Sequence, residues 1–257
     1  MTIGLAPAAL AVLGAFVFLA GVVDALAGGG GLITLPAYMA VGLNPALILG
    51  TNKLVSCLGT VVATARYHRA LRFSIREFLP VLAAAALGSW LGARLALLAD
   101  PRWLRPLLLI ALPAVSWLVW SRKDFGDRDD SHRLPPAERR RRGILVAGPV
   151  GGYDGFFGPG AGTFYALGLV RFCGHDLLGA TARAKALNLL SNLGALFAFI
   201  VAGRVHWRLG LPLAALSVAG NWVGARLGVR DGAKVIRPVV VLVCAGLFAK
   251  LLFDALH

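Results

Sequence analysis

Apolar runs of about 20 residues recur along the chain near 5–27, 45–65, 77–98, 104–121, 143–165, 183–203, 209–229 and 236–255, separated by short polar stretches that hold most of the arginines. A helix needs about 20 apolar residues to cross a hydrocarbon core roughly 30 Å thick. Each run therefore predicts one crossing, and the expected fold is all-α and polytopic, with eight transmembrane helices in two halves of four.

The division into halves comes from repetition. Gly88-Ser89-Trp90-Leu91-Gly92-Ala93-Arg94 and Gly220-Asn221-Trp222-Val223-Gly224-Ala225-Arg226 share a frame, and at the same offset Pro80 matches Pro212. Asp24, Gly28 and Gly30 match Asp154, Gly158 and Gly160. The expected organisation is a first repeat over 1–121, a polar linker over 122–142 and a second repeat over 143–257. With an even number of crossings per half, the repeats are expected to run parallel. The frame glycines Gly88, Gly92, Gly220 and Gly224 have the spacing of close helix packing, and Arg94 and Arg226 suit helix-end anchors.

Composition agrees with a bilayer. Hydrophobic residues make up 58% of the chain, charged residues 15%, and the mean hydropathy is +0.75; a soluble domain is ordinarily about 45–50% apolar. The net charge of +14 would suggest nucleic acid only if the basic residues formed a stripe on a soluble fold. They lie instead in the connections, where they set topology. Eight crossings put 15 of them, including Arg139 to Arg142, on one side and 10 on the other. The richer side is expected to be cytoplasmic, with both termini and the linker there, in a multi-pass protein of the inner membrane. An alternative use of Arg139 to Arg142 is to bind anionic lipid head groups. Ala25-Leu26-Ala27 resembles a signal-peptide cleavage site, but no basic region precedes the apolar core, and its counterpart around Asp154 lies mid-chain. The segment is expected to be a span.

Glycines interrupt the first run of each half, at Gly28-Gly29-Gly30-Gly31 and at Gly158-Pro159-Gly160-Ala161-Gly162. Glycine loses much backbone entropy in a helix and proline lacks the amide donor, so the first helices are expected to break there. Broken backbone in a membrane is tolerated where it lines a cavity or is buried in protein. A helix restarting after the break turns its amides and positive dipole end toward an anion; Gly29, Gly30 and Gly160 are the candidate positions. Alternatively, the glycines only let helices approach closely. Asp24 and Asp154 precede the breaks by four residues. A carboxylate within a span costs about 2.5–3.5 kcal/mol on insertion scales, so each is expected to carry protons, to pair with a lysine, or to brace the broken backbone.

The second run of each half carries the chemistry. Thr51, Asn52, Lys53 and Ser56 sit in one, and Lys185, Asn188 and Ser191 in the other. Lys53 and Ser56 share a helical face, as do Lys185, Asn188 and Ser191. A lysine with short hydroxyl and amide donors is the equipment that binds a small oxyanion. The alternative is that both lysines snorkel to the interface.

These motifs resemble the TauE/SafE sulfite-exporter family: Gly21-Val22-Val23-Asp24 through Gly31, Gly50-Thr51-Asn52-Lys53, Tyr153-Asp154 through Gly160, and Lys185-Ala186-Leu187-Asn188 through Ser191-Asn192. The resemblance implies a permease for small inorganic or organosulfur anions such as sulfite or an organosulfonate. Export is physically favourable, because moving one negative charge out of a cytoplasm about 100 mV negative gains roughly 2.3 kcal/mol. A rival reading makes Asp24 and Asp154 a proton-sharing dyad of an intramembrane hydrolase, though no Gly-x-Gly-Asp sequence occurs. Cys57, Cys173 and Cys244 are far apart, the histidines form no helical ligand pair, and no nucleotide-binding fingerprint occurs, so no metal, cofactor, ATP or nucleic acid is expected. Partners are the anion and membrane lipid.

Overall fold

The computed structural model describes residues 7–98 and 126–242 together with residue 245, and within them it is helical without strands. In chain order the helices are α1 (Pro7–Ala27), α2 (Gly31–Ala40), α3 (Pro45–Leu71), α4 (Ile75–Leu98), α5 (Pro136–Phe156), α6 (Ala161–Cys173), α7 (Leu177–Val201), α8 (Trp207–Asp231) and α9 (233–242). A 3₁₀ turn, Ser131–Arg133, precedes α5. Of these, α1, α3, α4 and α7 are long and apolar enough to cross a membrane. The run at 104–121 lies outside the described residues, as does most of 236–255.

Local chemistry sets the ends. Asn44 accepts from the Ala46 amide at 3.0 Å and Pro45 opens α3, Asp176 caps α7 through the Gly179 amide at 3.0 Å, and His206 Nδ1 caps α8 through the Leu209 amide at 3.2 Å. Each cap satisfies an amide that the first helical turn leaves free. Pro136 in the first turn starts α5 inside the segment expected to be linker, because a proline there forfeits no helical hydrogen bond. Glu138 then pairs with Arg141 and Arg142 at 3.1 and 2.8 Å. α5 thus begins within the segment 122–142.

The glycine clusters do break the chain, and they reverse it. At the first, Gly28 takes a φ of +76°, and α2 folds back so that Leu35 and Tyr38 pack with Leu13 and Val17. At the second, Gly158 and Gly160 take φ of +101° and +78°. α6 then returns along α5: Phe164 stacks edge-on to Tyr153 at 5.3 Å, Gly168 rests on Val146, and Phe172 O accepts from Arg142 at 3.2 Å. The single crossing expected over 143–165 is therefore corrected to a hairpin, since those residues belong to two antiparallel helices. Left-handed glycines permit the sharp turn that an L side chain would oppose.

Close contacts give the helix directions. α3 and α8 run parallel, with Gly210 on Leu54, Gly59 on Ser217 and Gly228 on Tyr67. α1 and α8 run parallel, with Gly21 on Ser217 and Asn221 and Gly224 on Val22 and Ala25. α4 and α5 run parallel, with Gly143 on Val81, Gly151 on Ala85 and Gly155 on Ser89. α3 and α7 run antiparallel: Gly50 meets Phe199 and Arg204 at one end, and Arg183 lies over Phe73, just beyond α3, at the other. The frame glycines serve as the close-packing points expected of them, Gly88 and Gly92 on α5 and Gly220 and Gly224 on α1.

One end of the bundle holds the α3–α4 turn, residues 126–136 and the α6–α7 turn, tied by hydrogen bonds from Asp130 N to Gly174 O and from Leu177 N to Gly126 O, both 2.8 Å. The far end holds the start of α1, the α2–α3 turn and the α7–α8 turn, where the His206 amide donates to Thr51 Oγ1 at 2.9 Å. Two expectations are corrected. The start of α1 and residues 126–136 lie at opposite ends of the bundle, where a shared end was expected. The helices carrying the two matching frames, α4 and α8, run in opposite directions, which parallel repeats do not allow. The physical reason is the same for both: each glycine hairpin returns the chain to the end it came from.

Candidate functional site

The tips of the two hairpins meet inside the bundle. A Cβ on Gly28 would overlap the Gly162 backbone and one on Gly162 would overlap Gly28, while Gly31 sits against Pro159. Thr163 Oγ1 donates to the Ala27 carbonyl across the contact, and Tyr153 donates to the Pro159 carbonyl within the second tip. Only residues without side chains let backbones approach this far.

Around these tips lie two crossed ion pairs. Lys53 on α3 reaches Asp154 on α5 at 2.7 Å, with both side chains 3% exposed. Lys185 on α7 reaches Asp24 on α1 at 3.6 Å and also donates to the Asp24 carbonyl, which Gly28 N uses as well. Each carboxylate has a hydroxyl from the second long helix of its own half of the chain within reach: Thr60 Oγ1 lies 3.3 Å from Asp24 Oδ2, its one proton shared with the Ser56 carbonyl at 2.7 Å, and Ser191 donates to Asp154. Two ammonium and two carboxylate groups sum to zero formal charge. Several kcal/mol of desolvation per buried ion is offset only because each charge has its partner and further hydrogen bonds.

The sequence-derived residues divide. Lys53, Lys185, Asp24, Asp154 and Ser191 form the ionic cluster. Asn188 joins it at one remove, accepting from Asn192 Nδ2 at 3.1 Å, while Asn192 Oδ1 accepts from Lys53 at 3.1 Å. Asn52 accepts from Thr34 at 2.6 Å. Ser56 and Gly30 line a cavity of about 10 Å³ with Asp24, Thr34 and Ser217. Gly29 and Gly160 are buried in the tips. Thr51 lies apart, holding the α7–α8 turn at the far end. Neither lysine snorkels: they are 2% and 1% exposed. Nor do Asp24 and Asp154 form a dyad, since each carboxylate is engaged with its own lysine and hydroxyl.

Thr34, Thr60, Thr163 and Asn192 complete the cluster and were missed. A signal existed for Thr60, which lies seven residues from Lys53 and so on the same helical face. Thr34 and Thr163 each follow a glycine cluster closely, but nothing local tells a threonine at a hairpin tip from one packed in a core.

A cavity of about 10 Å³ holds at most about one water. The cluster is therefore closed around its own ion pairs. The amides of Gly31 and Gly162, at the restarts of α2 and α6, take no acceptor among the described residues, so each helix N-terminus keeps donor capacity.

Comparison with known proteins bears on what such a cluster does. The profile of the family described as sulfite exporter TauE/SafE matches residues 13–251. The chain is 41% identical over 252 residues, 97% of its length, to the "Probable membrane transporter protein YfcA" of Escherichia coli (strain K12), covering 91% of that protein. It is 38% identical over 240 residues to the "Probable membrane transporter protein ORF9" of Sinorhizobium sp, covering 93% of this chain and 91% of that one. It is 36% identical over 245 residues to a "Probable membrane transporter protein" of Haemophilus influenzae, covering 95% of each. No solved structure matches.

Proposed function

From the sulfite exporter TauE/SafE family, to which this chain belongs and which makes it a membrane transporter and not an enzyme, we propose that it exports a small oxyanion such as sulfite or an organosulfonate across the cytoplasmic membrane. The observation that carries this is the pair of crossed lysine–aspartate contacts at the meeting point of the hairpin tips. A small oxyanion offers an ammonium group what a carboxylate does. It can displace Asp154 from Lys53 or Asp24 from Lys185, with Ser191, Thr60, Asn192 and the tip amides supplying donors to its oxygens.

Charge balance then suggests coupling. The cluster is neutral without substrate, and a bound monoanion adds one negative charge in a low-dielectric setting. Protonation of the displaced aspartate restores neutrality. Asp24 and Asp154 are on this reading proton carriers as well as lysine partners.

The described helices are assigned to two halves of opposite orientation, α1 to α4 and α5 to α8, each with one hairpin followed by two long helices. The described contacts support this: α1 packs on α8 as α5 packs on α4, and α3 packs on α7. Inverted halves around a mid-membrane site suit alternating access, one hairpin yielding toward each side. Of the described basic residues outside the ionic cluster, 16 lie toward the linker end and only Arg94, Arg204 and Arg208 toward the far end. The linker end is accordingly assigned to the cytoplasm, which puts the start of α1 on the outer side.

Purified protein reconstituted in liposomes should carry saturable sulfite flux, and Lys53→Met should abolish it. Wild-type protein inert toward sulfite, organosulfonates, sulfate and thiosulfate would overturn the substrate assignment. Undiminished flux in Lys53→Met would remove the lysine from the site.

A further inference from the structure

A cavity of about 520 Å³ opens at the linker end, between the α3–α4 turn, the start of α5 and the α6–α7 turn. Its walls are of two kinds. Phe73, Phe78, Val81 and Leu169 give it apolar lining, and Arg139, Arg183 and His175 give it basic lining.

The basic lining is built into the protein. His175 is 4% exposed, and its Nδ1 is buried without a hydrogen-bond partner. The nearest carboxylate, Asp129, is 3.9 Å away, too long for a hydrogen bond. Arg139 donates to the Ser131 carbonyl at 3.0 Å and Arg183 to the Gly179 carbonyl at 3.1 Å. Arg183 also lies 5.2 Å from the Phe73 ring centroid. Neither guanidinium has a carboxylate within ion-pair distance among the described residues. Glu77, exposed on α4, also lines the cavity, as do Arg140 and His132.

Two guanidinium groups with no carboxylate in ion-pair contact, though Asp129 and Asp176 lie close enough to act on Arg183 electrostatically, beside a buried imidazole nitrogen without a hydrogen-bond partner, leave donor capacity for negative oxygens. The apolar lining beside them is wasted on a bare inorganic ion. We propose that this cavity is a second anion site, separate from the Lys53–Lys185 cluster, which binds a phosphate or sulfonate head on Arg139, Arg183 and His175 and an apolar body on Phe73, Phe78, Val81 and Leu169. The ligand chemistry is that of an organic phosphate or sulfonate, or of the head group and glycerol region of an anionic lipid. Because the site clamps the α3–α4 turn to the starts of α5 and α7, an occupant braces the elements that carry Lys53, Asp154 and Lys185.

The probe is hexyl phosphate, titrated calorimetrically into detergent-purified, delipidated protein. Saturable binding at one site is expected, weakened at least tenfold by Arg139→Gln and by Arg183→Gln, each checked for folding by size exclusion. In histidine-labelled protein the ring resonance that disappears in His175→Gln should show a titration midpoint raised by the ligand. Binding unaffected by both arginine variants, a His175 midpoint that does not move, or no saturable binding overturns the site. Inorganic phosphate binding as tightly as hexyl phosphate overturns the role of the apolar lining. Two supporting outcomes separate the sources. A phosphatidylglycerol adduct retained through purification by wild type and lost in Arg139→Gln identifies a lipid, whereas hexyl phosphate binding at full strength without delipidation identifies a free organic anion. None of these readouts depends on sulfite transport, so this site and the transport assignment fail independently.

Discussion

Lys53 of α3 and Asp154 of α5, 101 positions apart in the chain, form an ion pair 2.7 Å long with both side chains almost wholly buried. The pair joins the first half of the chain to the second, and Lys185 with Asp24 joins them the other way.

Breaking such a pair from one side leaves a buried charge alone, at a cost of about 3–5 kcal/mol, whereas neutralising both partners together is nearly neutral. Asp154→Asn is expected to lower the thermal midpoint in detergent clearly, and Lys53→Met combined with Asp154→Asn is expected to recover most of that loss. Flux should stay absent in the double variant. A double variant less stable than Asp154→Asn would show that the two charges do not act as a pair.

Gly162 tests the contact between the hairpin tips without the complication of backbone strain. Its conformation is helical, and alanine favours a helix by about 1 kcal/mol over glycine, yet a Cβ there would overlap Gly28. Gly162→Ala is expected to fold and to lose at least about tenfold in transport, a barrier change of roughly 1.4 kcal/mol, because the tips cannot close. Transport at the wild-type rate would mean that closure is not part of the cycle.

Burial, together with Arg183 and Arg139 and against Asp129, pulls the His175 imidazole down to about 4. The unfolded chain, with an ordinary value near 6.5, binds a proton that the folded state refuses between those two pH values. Stability therefore falls as pH drops from about 6.5 toward 4, by on the order of 3 kcal/mol at the lower limit. Melts of ligand-free protein at pH 7.5 and pH 5 should show this difference, and His175→Gln should reduce it. Equal pH dependence in wild type and variant would remove His175 as its source.

Orientation is testable by labelling intact cells with a membrane-impermeant maleimide, in a background with Cys57, Cys173 and Cys244 changed to alanine. Ala202→Cys at the far end is expected to react from outside, and Ser74→Cys at the linker end only after lysis; both positions are exposed. The reverse pattern would invert the assignment.

Much of this was legible in the chain itself. Apolar runs of spanning length can be read locally, because a bilayer imposes its thickness on every helix that crosses it. Repetition located both glycine breaks and both aspartates, and the unusual presence of lysine, hydroxyl and amide on one face of an apolar helix singled out Lys53, Lys185 and Ser191. What a sequence offset does not encode is direction. A break at Gly158 to Gly160 is compatible with a kinked crossing or a hairpin, and only the packing of Gly168 on Val146 and of Phe164 on Tyr153 decides between them. The same choice at both glycine clusters sets the opposite directions of α4 and α8 and places the start of α1 and residues 126–136 at opposite ends of the bundle. It also decides who pairs with whom: Asp24 and Asp154 were open to several roles while their partners were unknown, because those partners lie more than a hundred residues away and meet them only where α1 and α5 pack among α3 and α7. Local propensity governs where a helix starts and stops, whereas a buried charge finds its counter-charge through the tertiary arrangement that makes its burial tolerable.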